Sequence, residues 1–163
     1  MRRMGTYAAE LTTLRSRARG DDDVVRAPAG PAAIRALREA VRRQLGLPLP
    51  GCYEAFLAEC NGFSLASRRV LGVDADLTGD PAATAPRGPD GCLGYNLERE
   101  AARLRGHRPQ RSLFLAVNGD VAWVMKEEGS FWEIDPDTLE EIERYHDGVT
   151  MLRSVARRVH ALL

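Results

Sequence analysis

The side chains in this sequence that could act as a nucleophile and its base are one thiol and two imidazoles. Cys52 stands near the start of an expected helix, where its thiolate would be favoured, and His107 or His146 could approach it as a base. The serines have no glycine frame of the nucleophile-elbow type, and no phosphate-binding loop motif is present. A cysteine with distant histidines is an unspecific pattern. We therefore predict that the chain is not an enzyme.

The histidines and clustered aspartates also lack the spacing of a metal site. None of His107, His146 and His160 has a recognisable zinc spacing to another ligand type. The acidic triplet that begins at Asp21 and the Asp74-Ala75-Asp76 segment lack the carboxylate ladder of a calcium loop. The sequence therefore predicts no metal and no cofactor.

The densest run of titratable residues is acidic and lies between residues 127 and 147. Arg144 is the only arginine or lysine in this run, whose acids are Glu127, Glu128, Glu133, Asp135, Asp137, Glu140, Glu141, Glu143 and Asp147. A glycosidase would need two of them to flank a cleft, with burial raising the pKa of one. Turns and a polar segment instead predict solvated acids, which could bind a basic protein by charge complementarity. Glu133, Asp135 and Asp137 are the predicted contact residues.

Length and composition indicate an ordinary globular domain. The chain has 163 residues, of which 44% are hydrophobic and 28% charged, and its formal net charge is +0. Because no net charge steers the chain toward polyanions, we predict neither nucleic acid nor membrane as a partner. Three cysteines without a pair motif predict no disulfide framework and a reducing, cytoplasmic location.

Apolar periodicity predicts several helices. One spans about 4–17, and a second has Ile34, Leu37, Val41 and Leu45 on one face and ends at Gly46. A third follows Pro50, with Tyr53, Phe56, Leu57 and Cys60 on one face and Asn61-Gly62 as its end. The later helices are expected over 93–105, with Leu97, Ala101 and Leu104 inward, and over 149–163, with Met151, Leu152 and Val155 inward.

The apolar segments in the second half of the sequence and the turn residues between them predict an antiparallel sheet. A meander is expected over 113–117, 121–126 and 131–135, with Asn118-Gly119 as a type I′ hairpin turn and 69–73 as a fourth strand. Residues 74–91 are predicted as a long loop, and 138–144 as polar chain with a single helical turn. The fold class is α+β, with helices packed on an antiparallel sheet of about four or more strands.

The two central strands are apolar on both faces, whereas a sheet with one wet face should alternate. Either helices cover both faces or one face is kept for a partner, and we favour full coverage. In the second case, the face around Trp123 and Trp132 is the alternative partner site.

The motif at the third helix carries a family resemblance. Leu49, Pro50, Tyr53, Phe56, Leu57, Asn61 and Gly62, followed by Gly72-Val73-Asp74, resemble the SUKH superfamily (Smi/Knr-type fold) and within it the YrhA-like group. Leu71 stands where the family usually has an aromatic residue. The resemblance covers nearly the whole chain and implies one domain over 1–163, with N-terminal helices in 1–46 and the core motif, meander and closing helix in 47–163.

The resemblance also implies a function. Bacterial members of the family look like immunity proteins that neutralise polymorphic toxins, so the expected partner is a toxin domain with a basic surface. The alternative is a cytosolic scaffold or regulator related to cell-wall control, as in Smi/Knr-type relatives, without a toxin partner.

Overall fold

A computed structural model describes residues 5–78, 91–106 and 110–158 of the chain. Its helices are α1 (Ala8–Arg17), α2 (Pro31–Leu45), α3 (Gly51–Glu59), α4 (Ala75–Thr78), α5 (Cys92–Arg105) and α6 (Gly148–Arg158). Its strands are β1 (Val24–Val25), β2 (Phe63–Leu65), β3 (Arg68–Val70), β4 (Ser112–Val117), β5 (Ala122–Lys126), β6 (Phe131–Ile134) and β7 (Glu141–Tyr145). The predicted α+β class is confirmed. In the described part of the chain, no helix is both long and apolar enough to cross a bilayer.

The seven strands form one antiparallel sheet in sequence order, each paired with the next. The meander of β4, β5 and β6 was predicted, but β1, β2 and β7 were not. The predicted helical turn over 138–144 is wrong, because Glu141–Tyr145 pairs with β6 through a bulge at Glu133/Ile134. Four of the five β7 residues are exposed, so this edge strand has no buried alternation to reveal it in the sequence.

The helices α2 and α3 follow their predicted patterns. The predicted stripe of α2 is buried, and Gly46 ends the helix in the left-handed region with φ 66°. Tyr53, Phe56 and Leu57 of α3 are fully buried. The predicted cap by Gly62 is wrong, because the residue that caps α3 after Glu59 is Cys60, in an extended conformation. Gly62 has φ 84°, and a Cβ there would lie 2.5 Å from the Val70 carbonyl oxygen, so β3 is what requires the glycine.

The hairpin between β4 and β5 also differs from its prediction. A type I′ turn needs positive φ at both central residues, and neither Asn118 nor Gly119 has one. The strands resume pairing at Val117 and Ala122, so the loop has four residues. The Asn118 side-chain oxygen accepts hydrogen bonds from the N–H groups of Asp120 (2.8 Å) and Val121 (3.1 Å) and closes the turn.

Helices contact both faces of the sheet. On the front face, α3 places Phe56 against Phe63 at 6.3 Å between ring centroids, and α6 packs on β6 and β7. On the back face, α5 places Tyr95 against Phe114 at 5.7 Å. Every residue of β5 and all but the first of β4 are buried, so the apolar run reflects coverage on both sides.

The orientation of α5 corrects a predicted face. The buried residues are Cys92, Leu93 and Asn96, whereas Ala101 is exposed and Leu104 is 58% exposed. A polar residue is inward because β3 separates from β4 after Leu71, whose N–H donates to the Leu115 carbonyl (2.9 Å). The Asn96 amide then donates to the Phe114 carbonyl (2.9 Å) and accepts from the Phe114 N–H (2.7 Å). Asn96 thus completes the free edge of β4.

The segment 71–74 joins α3, β3 and α5. Tyr53 donates its hydroxyl hydrogen to the Leu71 carbonyl, and the Asn61 side-chain oxygen accepts from the Val73 N–H (2.7 Å). Asp74 accepts from the N–H groups of Leu93 (2.7 Å) and Gly94 (3.0 Å). Because free N–H groups at a helix start need acceptors, Asp74 caps α5 from a distant part of the sequence.

Replacing Asn96 by Ala should lower the free energy of unfolding by about 2–4 kcal/mol, because two buried backbone groups lose their partners at about 1–3 kcal/mol each. Chemical denaturation checks this, with Gln44→Ala on the exposed surface of α2 as the control. Equal denaturation midpoints for the two variants would show that Asn96 does not hold the edge of β4.

Candidate functional site

The five residues predicted to contact a partner do not lie together. Pairing of Trp123 with Glu133 puts both on the front face, whereas Trp132 is on the back face beside Val124. Asp135 and Asp137 lie in the turn between β6 and β7. Trp123 is fully buried and Glu133 is 5% exposed, so neither is presented to a partner.

Glu133 belongs to a buried polar cluster beneath α6. Its Oε2 atom accepts hydrogen bonds from Trp123 Nε1 (3.1 Å), the Tyr145 hydroxyl (2.9 Å) and Arg158 Nη1 (2.9 Å). The Arg68 guanidinium lies 5.6 Å from the centroid of the Trp123 ring. A buried carboxylate with three donors is satisfied internally. The expectation of a solvated acid is therefore wrong for Glu133, which holds β5, β6, β7 and α6 together.

Most other acids of the 127–147 run also have partners within the chain. Glu143 pairs with Arg158 (2.8 Å), Glu127 with Arg111 (3.5 Å), and Glu141 with Lys126. All three cations come from outside residues 127–147, so the acidic run does not form a continuous negative surface.

Two further acids of the run shape the local backbone. Asp135 accepts from the N–H groups of Asp137 (2.8 Å) and Thr138 (2.9 Å), and these bonds hold the pKa of Asp135 below its ordinary value. Asp147 accepts from the Thr150 N–H (2.7 Å) at the start of α6, and its pKa falls to about 2 because of the hydrogen bonds from Thr150. Asp135 and Asp137 remain predicted contact residues at the surface.

The back face of β5, β6 and β7 carries a half-buried aromatic residue among charges. We call Lys126, Trp132, Glu141 and Arg144 the Trp132 surface. The Lys126 amine lies 4.4 Å from the Trp132 ring centroid and the Arg144 guanidinium 5.6 Å from it. The ring is also anchored, since Trp132 Nε1 donates to the Ser130 hydroxyl oxygen (2.8 Å) and that hydroxyl donates to Glu128.

These contacts fix the Trp132 ring while leaving part of it accessible. Lys126 has only 6% of its side chain exposed, whereas the side chain of Glu141 is 47% exposed. An oriented aromatic surrounded by charges that alternate in sign can pack an apolar group and hydrogen-bond at its margin. Ile142, in the β7 bulge, is 53% exposed and adds apolar surface at the sheet edge.

A cavity of about 220 Å³ opens on the same face, between α5, β4 and the turn before β7. Phe114, Leu139 and Arg99 are among its lining residues. The Arg99 guanidinium lies 4.8 Å from the Phe114 ring centroid and donates to the Pro136 carbonyl. Phe114 pairs with Val124, which pairs with Trp132, so one strand separates the cavity from the Trp132 surface.

The signal for this site was present in the sequence but incomplete. The strands 121–126 and 131–135 were predicted, and their observed register opposes Val124 and Trp132, which puts Lys126 on the same face. Arg144 and Glu141 were not predicted as neighbours of Trp132, because their segment was not recognised as a strand.

The thiols are held in their neutral form. Burial raises the pKa of Cys52 to about 11, of Cys60 to about 11 and of Cys92 to about 12. Cys52 lies near Gly148 at the start of α6, whereas the nearby His146 has 92% of its side chain exposed and contacts Asp147 (3.2 Å). His107 and His160 lie outside the described residues. This arrangement opposes a thiolate nucleophile at Cys52.

Over residues 5–78, 91–106 and 110–158, no three histidine, cysteine or acidic side chains are grouped so that they could hold a metal ion. The prediction of no metal was made for the whole chain and stays a prediction.

The fold and the Trp132 surface define a class of protein, an α+β domain with a seven-stranded antiparallel meander and a candidate contact face. In the comparison with known proteins, no family model matches the chain, and no curated protein matches it.

Substituting Lys for Glu133 should lower the free energy of unfolding by about 3–5 kcal/mol, because it removes the buried carboxylate that accepts from Trp123, Tyr145 and Arg158 and places a buried cation beside the Arg158 guanidinium. Thermal or chemical denaturation measures the loss. Glu140→Lys is the matched charge reversal at an exposed acid of the same run and should change stability by no more than about 0.5 kcal/mol. Similar losses for both variants would show that Glu133 is not the centre of the cluster.

Alkylation of Cys52 by iodoacetamide at pH 8 should be about tenfold slower than that of a free thiol, because its raised pKa reduces the thiolate fraction more than it increases nucleophilicity. The rate should rise with pH toward about 11. Mass spectrometry follows the modification, with a Cys52→Ser variant identifying the site. A fast, pH-independent reaction near neutrality would instead indicate an activated thiol.

Proposed function

We propose that this chain is a non-catalytic protein-binding domain of the immunity type, which neutralises a bacterial polymorphic toxin in the cytoplasm by covering its active site. The contact surface is centred on Trp132. The observation that carries the proposal is a half-buried tryptophan held in one orientation by its own hydrogen bond and by two cations.

The chemistry of this surface suits protein recognition. Tryptophan and arginine are enriched among residues that dominate binding energy, and such residues work best inside a polar rim that excludes water. Here Lys126 and Arg144 flank the ring, and Glu128 and Glu141 border it. A partner that places an apolar group over Trp132 would bury it while its charged groups meet this rim.

The exposed acids near Trp132 are compatible with the basic partner that the sequence predicts. Glu128 and Glu140 are exposed acids in the turns at the two ends of β6, and the exposed Glu141 carboxylate is paired with Lys126. A basic toxin surface could meet these acids at the margin of the contact, where charge affects the association rate more than the affinity. The raised pKa values of the three thiols favour binding over cysteine chemistry.

The family resemblance supports the immunity role in particular. It rests on the motif from Leu49 to Gly62 and on Gly72-Val73-Asp74. In this chain Asn61 of the first motif accepts from the Val73 N–H of the second, and Tyr53 donates to the preceding Leu71 carbonyl. Those contacts are structural and position the elements of the fold, whereas the proposed contact surface lies around Trp132.

Trp132→Ala should weaken binding to the partner about thirtyfold or more, because loss of a central interface tryptophan costs about 2 kcal/mol or more. The partner is first captured from the native cell with the full chain as bait and purified. Isothermal titration then gives the two dissociation constants, with Val24→Ala at the opposite sheet edge as the control for truncating an exposed apolar residue.

The same partner decides the biological role. An immunity protein should restore growth to cells that express the captured partner, and Trp132→Ala should reduce that protection. A partner that is not toxic would refute the immunity role and favour the scaffold or regulator. Unchanged affinity in the folded Trp132→Ala variant would place the interface elsewhere.

A further inference from the structure

The outer side of α5 is apolar where solvent would favour polar residues. Ala101 and Ala102 are exposed, and Leu104 is the most exposed large hydrophobic residue of the described chain, at 58%. The sequence pattern predicted Leu104 and Ala101 as inward residues, but α5 turns Asn96 toward β4 instead. An amphipathic helix thus exposes part of its apolar side.

Two opposite charges flank this apolar side. Glu98 and Arg105 are exposed and lie seven residues apart, which is two helical turns or about 10.5 Å along the axis. Neither takes part in an ion pair or side-chain hydrogen bond among the described residues, although most other charges of α5 do. Glu100 and Arg103, for example, are paired at 2.7 Å.

We propose that this side of α5 is the contact between two copies of the chain, packed antiparallel about a two-fold axis. With the axis between Ala101 and Ala102, Glu98 of each copy lies opposite Arg105 of the partner subunit. Ala101 then opposes Ala102 of the partner subunit, so the helices approach closely, and Leu104 covers the contact from each side. A two-fold contact requires such self-complementarity, which one acid and one base at equal distances from the axis supply.

The exposed edge strand β7 does not offer this complementarity to a second copy. If β7 paired with its own copy about Glu143, two glutamates would oppose one another, and pairing about Arg144 would oppose two arginines. Like charges directly opposite in a sheet are unfavourable. The charges of β7 therefore disfavour a second copy, whereas those of α5 favour one. The α5 contact is independent of the Trp132 surface and does not rest on the proposed immunity role.

The test is a charge-swap cycle measured by sedimentation of the full chain from about 1 µM to about 1 mM, the range of weak specific association. The wild-type mass should rise with concentration from the 18.0 kDa of one chain toward twice that value. Glu98→Arg and Arg105→Glu should each weaken dimerisation about tenfold, because each change creates two like-charge contacts per dimer. The double variant should return to within about threefold of the wild type.

Two further variants separate the contact from general charge effects. Glu39→Arg and Arg43→Glu make the same charge changes on exposed positions of α2 and should leave dimerisation unchanged. Leu104→Glu places a charge in the apolar contact and should abolish dimerisation without loss of folding, since the residue is exposed. A wild-type mass that stays at one chain throughout, or a dimer insensitive to the α5 variants, would overturn the proposal.

Discussion

The buried segment 71–74 is the constraint on which the arrangement of α3, β3 and α5 depends. Its backbone leaves the sheet inside the protein after the Leu71 N–H has bonded to β4, so the backbone groups that follow need partners from outside the strands. Tyr53 and Asn61 supply two of those partners, and Asp74 in turn caps α5. Once α5 is fixed at its start, Asn96 reaches the free edge of β4. One set of polar contacts therefore positions the helices on both faces.

A second constraint is the satisfaction of charge. The acids of residues 127–147 are neighbours in sequence, but the fold pairs several of them with cations from distant segments, such as Arg158 in α6 and Arg111 before β4. Burial of Glu133 makes its partners obligatory, because an isolated carboxylate in the interior would be strongly destabilising. Acids that are neighbours in the sequence thus form salt bridges that join different strands and helices.

The surfaces that remain differ in chemistry because different elements build them. On the back of β5, β6 and β7, strand pairing places side chains of alternate residues together, which groups Lys126, Trp132 and Arg144. On α5, the helical period groups Glu98, Ala101 and Arg105. The first surface is an aromatic residue inside a charged rim, and the second is a short apolar side between opposite charges. Each could serve a different contact at the same time.

The sequence by itself determined the α+β class, the cores of α2 and α3, and the β4–β6 meander, because apolar periodicity and glycine turns are local properties. Only the tertiary structure decided that Asn96 is inward, that 141–145 is a strand, that Gly62 serves β3, and that Trp123 and Trp132 lie on opposite faces of the sheet. The first three outcomes depend on backbone groups of other segments, and the faces of the two tryptophans depend on the register between β5 and β6. The same holds for the candidate site. The sequence indicated Trp132 as a candidate contact residue, but which residues lie beside it depended on the pairing of β6 with the edge strand β7.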